Sequence, residues 1–158
     1  MVLPVPAPSL RPLLRFGGQN GGVTGAPIWL WTDPSHWSPG GIPLTRRVQA
    51  GPVWATVSAA AVRMVWLPGD GSVVTCLTSG TPLTDPSRGL SGSPNCGYTY
   101  RRTSADQTGG RYRVTISVTW AVTWVGSDGT GGALAPLTVA TTFPYTVRQA
   151  RAQLVSPT

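Results

Sequence analysis

The segment "RYRVTISVTWAVTW", residues 111–124, alternates without a break. Tyr112, Val114, Ile116, Val118, Trp120, Val122 and Trp124 fall on one parity, and Arg113, Thr115, Ser117, Thr119, Ala121 and Thr123 on the other. Successive side chains of a strand point to opposite faces, so this period of two makes one face continuously apolar and the other small or polar. A helix would scatter the same seven apolar residues around its circumference, and helix is excluded here. After the flexible connection "VGSDGTGGALAP", the stretch "LTVATTFPYTVRQARAQLV" returns with Leu137, Val139, Phe143, Tyr145 and Val147 on one face. The two stretches predict a long antiparallel hairpin. Pro144 has no N–H to donate, so the returning strand is expected to lie at a sheet edge or to bend there. The tail "RQARAQLV" reads as a continuation of that strand or as a final helical turn.

Two further stretches, "VWATVSA" from Val53 and "AVRMVWL" from Ala61, are short, rich in β-branched and aromatic residues, and followed by turn formers. Five to seven strands with no convincing helix predict an all-β sandwich over residues 51–155, because a single sheet would leave an apolar face in water. A chain of 158 residues suffices for one such domain.

Residues 1–50 lack any period. Glycine (20 residues) and proline (16) crowd the front of the chain, where "GGQNGGVTG" reads as linker and "WTDPSHWSPGGIP" as a run of turn formers. A largely irregular Pro/Gly-rich N-terminal arm is therefore expected. Within it "PIWLW" is an apolar run that adds a strand or packs on the domain. Trp29, Trp31 and Trp37 are too costly to leave in water together, which argues against full disorder.

All twelve basic residues are Arg and all five acids are Asp, for a net charge of +7. Such a balance attracts phosphates, anionic polymers or lipid head groups, with a strength that falls as salt rises. The arginines are scattered and no nucleic-acid-binding motif accompanies them, so a nucleic-acid partner is not expected. A chain without Lys cannot carry a P-loop. His36 is the single imidazole, and no Glu is available to pair with an Asp, so neither a Ser-His-Asp nor a two-carboxylate site is expected and the chain reads as no enzyme. No cofactor is implied. Two cysteines and one histidine do not complete a metal site, and five scattered Asp supply few of the oxygens that calcium wants.

Cys76 and Cys96 enclose a Gly/Ser/Pro-rich segment, which suits a disulfide closing a loop; two buried free thiols are the alternative. A disulfide would place the protein in an oxidising compartment. "MVLPVPAPSLRPLLRF" makes a poor secretory signal, since Pro4, Pro6, Pro8 and Pro12 break its apolar residues and Arg11 brings the first positive charge late. A gene start upstream of Met1 is the expectation that reconciles the two. No apolar run approaches the length of a membrane span, and no transmembrane segment is expected in this chain.

"VWLPGDG", followed by "CGYTYRR" and then "GGRYRVTISVTW", resembles the PKD (polycystic kidney disease) domain. Trp66, Gly69, Asp70 and Gly71 match the family's turn; Tyr98, Thr99 and Tyr100 match its middle strand, with Tyr98 in place of the usual His. Gly110, Tyr112, Val114 and Thr115 match its last motif. Leu67 and Pro68 stand where the family usually has Asp and an aromatic, which removes any role of that first acid. The resemblance covers roughly residues 50–150 and extends to secreted or membrane-tethered PKD-like proteins of high-GC Gram-positive bacteria. It implies an immunoglobulin-like sandwich, extracytoplasmic, that spaces or binds rather than catalyses. It also implies a structural role for Gly69, Asp70 and Gly71, in which glycine supplies positive φ and Asp70 caps backbone N–H groups.

Of the tryptophans, Trp54, Trp66, Trp120 and Trp124 are expected to fill the core. Trp29, Trp31 and Trp37 form an exposed strip that stacks on sugar rings or a partner protein, or are buried by the arm folding back. Arg101 and Arg102 beside Tyr100 suit an acidic glycan or mark a solvated strand end. The chain thus reads as a module for protein interaction or spacing at the cell envelope, with binding of a carbohydrate or anionic cell-wall polymer as the alternative.

Overall fold

The computed structural model describes residues 1–150, and these are almost entirely strand, turn and loop. Ten strands follow in chain order: β1 (Ser9–Arg11), β2 (Leu14–Phe16), β3 (Gln19–Val23), β4 (Pro27–Trp31), β5 (Leu44–Ala50), β6 (Val53–Leu67), β7 (Val74–Cys76), β8 (Gly97–Thr99), β9 (Tyr112–Gly126) and β10 (Gly131–Arg148). The only helical pieces among the described residues are two short 3₁₀ turns, Pro86–Ser91 and Thr108–Gly110. The fold is an all-β sandwich of two sheets. The large sheet runs β2-β3-β10-β9-β6-β5 with β7 also paired to β6, and the small one runs β1-β4-β8.

The alternating stripe of β9 organises the large sheet. β9 pairs antiparallel with β10 from Tyr112↔Tyr145 to Val125↔Gly131, with an irregularity between Leu134 and Leu137 around Pro136. It pairs with β6 on its other side, from Leu67↔Thr115 to Ala55↔Gly126. Registers on both sides put Met64, Trp66, Ala59 and Ala61 of β6 and Tyr145 and Val147 of β10 on the same face as the β9 stripe, and all are buried. The opposite face is small and polar, with Thr115 bonded to Thr142 and Thr119 to Thr138 across β9 and β10. Pro144 lies where β10 forms the edge, since the strand's outer side holds β3 only over Thr146–Arg148.

The front of the chain differs from the irregular arm expected for residues 1–50. It supplies five of the ten strands. β4, the "PIWLW" run, is the centre of the small sheet, between β1 and β8. Ile28 and Leu30 face the large sheet and join the core, while Trp29 is buried on the other side of β4. Arg88 of the first 3₁₀ turn lies over the Trp29 ring, 5.8 Å from its centroid. Periodicity failed to reveal these strands because most are only three to five residues long and are held by tertiary partners, not by local propensity. The tail expected to extend the strand or form a helical turn leaves β10 at Arg148, and its residues from 151 onward, with the end of the 51–155 sandwich, lie outside the described residues.

The sheets are tied covalently as well as by packing. β7 belongs to the large sheet and Cys96 immediately precedes β8 of the small one; Cys76 and Cys96 form a disulfide with a Cα–Cα distance of 5.6 Å. Both sulfurs are in the core. A formed, buried disulfide fits an oxidising, extracytoplasmic environment. No helix among the described residues is long and apolar enough to cross a membrane.

The cross-link closes a loop with a sequence separation of 20, for which the chain-entropy model gives about 3 kcal/mol. Replacing both cysteines with serine is expected to lower unfolding free energy in urea by about that amount, and dithiothreitol should shift the wild type to the same midpoint.

Candidate functional site

The Gly-Asp-Gly stretch lies in the loop that joins β6 to β7, an antiparallel pair in register from Met64↔Cys76 to Trp66↔Val74. Gly69 has φ +96° and Gly71 φ +91°, a region L side chains rarely adopt. A Cβ on Gly69 would sit 2.8 Å from the carbonyl oxygen of Arg113, so the loop lies directly against the start of β9. Asp70 accepts the Ser72 backbone N–H at 3.0 Å through one oxygen and the Tyr98 hydroxyl through the other. Ser72 Oγ also lies 2.7 Å from the Tyr98 hydroxyl. Partial burial pushes the Asp70 carboxyl up, but the hydrogen bonds from Tyr98 and Ser72 outweigh it and hold the group below its ordinary value. Burial, then the bond to Asp70, raises the Tyr98 hydroxyl.

Tyr98 begins a chain of aromatic contacts. Its ring meets Trp66 edge-on at 5.6 Å and Tyr100 edge-on at 5.0 Å, and Tyr100 stacks on Tyr112 at 5.0 Å and on Tyr145 at 5.8 Å. The Tyr100 hydroxyl donates to the Pro68 carbonyl, and the Tyr112 hydroxyl lies within bonding distance of the Arg102 and Thr103 carbonyls. Burial raises the Tyr100 and Tyr145 hydroxyls far above their ordinary value, so both are neutral; the buried Tyr145 hydroxyl has no hydrogen-bond partner among the described residues. Gly110 has φ +67° and its carbonyl accepts from Ser104. Val114 is in the core and Thr115 on the polar face.

Beside Asp70 and Tyr98 opens a cleft of about 980 Å³, lined also by Ser72, Ser93, Asn95, Cys96, Thr99, Arg101 and Arg102. Its walls are the β6–β7 loop, the segment before β8 and the start of the chain after β8. Both arginines are exposed. Asp70, Ser72, Asn95 and Tyr98 offer hydroxyl, amide and carboxylate groups, and Arg101 and Arg102 offer cationic donors. This set suits a polar or anionic ligand. Among the described residues, no three His, Cys, Asp or Glu side chains gather as metal ligands.

The exposed tryptophan strip does not form. Trp29 and Trp37 are buried and Trp31 is half-buried. Trp29 and Trp31 lie in the small sheet, and Trp37 bridges to Ala61 of β6 and joins the core. Of the tryptophans expected in the core, Trp66 and Trp120 are buried, whereas Trp54 and Trp124 are half-buried. Trp54 lies on the polar face, where Arg47 stacks over its ring at 4.1 Å.

Trp124 marks a second feature, which the sequence patterns did not reveal. β6 and β9 are 15 residues each and β10 is 18, whereas no strand of the small sheet exceeds five. At about 3.3 Å per residue the long strands reach roughly 50 Å and the small sheet roughly 17 Å. Beyond the small sheet, His36 and Trp37 lie against Trp120 and Ala61, and the core face of the large sheet runs on past that cover. Val48, Val53, Leu134 and Leu137 are 62%, 64%, 46% and 49% exposed there, around half-buried Val57 and Trp124. Comparing strand lengths along the chain would have been the signal, but β1 and β4 of the small sheet were hidden in the supposed arm and β8 is only three residues long.

Comparison with protein-family models, with curated proteins and with solved structures finds no match.

Two predictions follow from the β6–β7 loop. Gly71→Ala is expected to cost about 1 kcal/mol of stability for its backbone conformation alone, and Gly69→Ala distinctly more because its Cβ also meets the β9 backbone; urea unfolding of both variants measures the difference. Because the Asp70 pKa is lower in the folded chain, its contribution to stability is full above the unfolded value and is lost as pH falls through the folded one. Acid titration should thus destabilise the wild type more than Asp70→Asn below about pH 4, with Tyr98→Phe intermediate.

Proposed function

We propose that the chain is a non-catalytic, PKD-like module that works outside the cytoplasm and engages a protein partner through the uncovered half of its large sheet. The observation that carries this reading is the exposure of Val48 and Val53 on one flank and Leu134 and Leu137 on the other, with half-buried Val57 and Trp124 between them, on a sheet face that is core along the rest of its length. Contiguous apolar surface of this kind marks interaction sites in proteins that remain soluble. The PKD-like identity, with its immunoglobulin-like architecture, is supported by the convergence of the three matching stretches: Trp66, Asp70, Tyr98, Tyr100 and Tyr112 form one connected cluster. Location at the cell envelope is supported by the disulfide. Against catalysis speaks the chemistry around the single imidazole: His36 Nδ1 faces the Ile42 carbonyl at 2.7 Å, while the neighbouring Ser35 hydroxyl donates to Asp33 and not to the ring.

The polar cleft beside Asp70 supports a second reading, the binding of an anionic cell-wall glycan. There Arg101 and Arg102 would meet carboxylate or phosphate groups, and Asn95, Ser72 and Tyr98 would bond sugar hydroxyls. Buried Trp29 and Trp37 take no part in it.

A photo-reactive residue placed at Leu137 in the native host is expected to give cross-linked protein adducts, and the same residue at Thr138, on the opposite face, to give none. Equal labelling from both positions, or none from Leu137, would overturn the interaction reading. Loss of sedimentation with insoluble cell-wall polymer in Arg101→Ala/Arg102→Ala would favour the cleft instead.

A further inference from the structure

We propose that the partner of the uncovered sheet face is a second copy of this chain, packed face to face so that each copy supplies the layer the other lacks. This rests on the interaction reading above and names its occupant.

The first support is geometric. The small sheet covers one end of the large sheet, His36 and Trp37 extend that cover over Trp120 and Ala61, and burial stops near Val122; Leu134 and Leu137, the β10 partners of Val122 and Trp120, are half exposed. A two-fold axis across the strands would lay the uncovered halves on each other with the covered halves at opposite ends. In that arrangement the partner's sheet continues the layer begun by β1, β4 and β8, at the spacing of about 10 Å that stacked sheets adopt. A two-fold axis along the strands is ruled out by sterics, because it would drive each large sheet into the other's small sheet.

The second support is area. Some six residues of four strands give a face of roughly 20 Å by 20 Å. Side-chain relief raises the accessible area above that plan area, so two copies together approach the ~1,000 Å² that a specific interface needs. The third is charge. β9 and β10 place no charged side chain between Arg113 and Arg148 within their strands, and Arg46 of β5 is the one charge on this face of the four strands. An isologous contact requires a surface that tolerates itself. A face that is apolar in its middle, with its single cation on the edge strand, meets that requirement, because Arg46 stays at the solvated rim.

Like charges at the rim and a net charge of +7 on each copy oppose association, so the dimer is expected to tighten as salt rises. An acidic foreign partner would show the reverse.

Sedimentation velocity of the full chain over a wide concentration range, at low and at high salt, tests the proposal. A reversible monomer–dimer equilibrium, tighter at high salt, is expected. Leu134→Asp and Leu137→Asp should each weaken it at least tenfold, with circular dichroism and melting unchanged because both side chains are already half exposed. Thr138→Asp, on the other face, should leave it intact. A monomer at every concentration and salt, or a dimer indifferent to both leucine variants, would overturn the proposal. If the chain is monomeric yet Leu137 cross-links a different protein in the host, the second copy is wrong and the interaction reading stands. A monomer with no adduct removes both.

Discussion

A sheet buries an apolar face only as far as another layer lies over it, and here the stripe on β9 is longer than its cover. From Tyr112 to Val122 the stripe is sealed by the small sheet and by the His36–Trp37 segment that follows β4; at Trp124 it is only half-buried, and the flanking Val48, Val53, Leu134 and Leu137 are exposed. Burial of the sealed part supplies the main driving force for folding, at about 25 cal/mol per Å² of apolar surface. The unsealed part, half-buried at Val57 and Trp124, supplies much less within one copy. Core formation and the exposed surface are thus two lengths of one strand pattern.

The sealed end is held by three independent devices that meet in a small region. The disulfide joins the two sheets at Cys76 and Cys96. The Asp70 carboxylate grips Tyr98 of the small sheet from the β6–β7 loop of the large one. The tyrosine stack carries that contact through Tyr100 to Tyr112 and Tyr145 at the base of the β9–β10 hairpin. Asp70 therefore shapes its own loop through Ser72 and fastens that loop to the opposite sheet. An aspartate can do both because an ionised carboxylate has acceptor capacity for several donors. The cleft lies against this region.

The hairpin, its register parity and the polar outer face were legible in residues 111–147, because a two-residue period over so many positions admits one secondary structure. The disulfide was legible as one of two alternatives, and Asp70 as a turn residue. The short strands around the hairpin were not. β1, β2 and β8 are three-residue strands, too short to show a period, and β3 is "QNGGV", whose glycines argue for linker. Gly21 and Gly22 are needed because β3 pairs in parallel with β10 at close quarters: a Cβ on Gly21 would meet the Thr146 carbonyl. Composition signalled flexibility where tertiary packing demanded small residues.

Trp29 and Trp37 show the same division. Their cost in water was plain from the sequence, and so was the need to cover them; which surface would cover them was not. The sequence by itself determined the all-β class, the apolar parity of β9 and β10, and the chemistry of the Gly-Asp-Gly loop, because each follows from local backbone geometry and short-range periodicity. Only the tertiary structure decided that the front of the chain supplies β1 and β4 to the second layer and β2, β3 and β5 to the first, that Asp70 bonds Tyr98 of the other sheet, and that the apolar face outruns its cover. Those outcomes depend on which strands meet across the core and how long each is, and such long-range lengths have no signature in any local window.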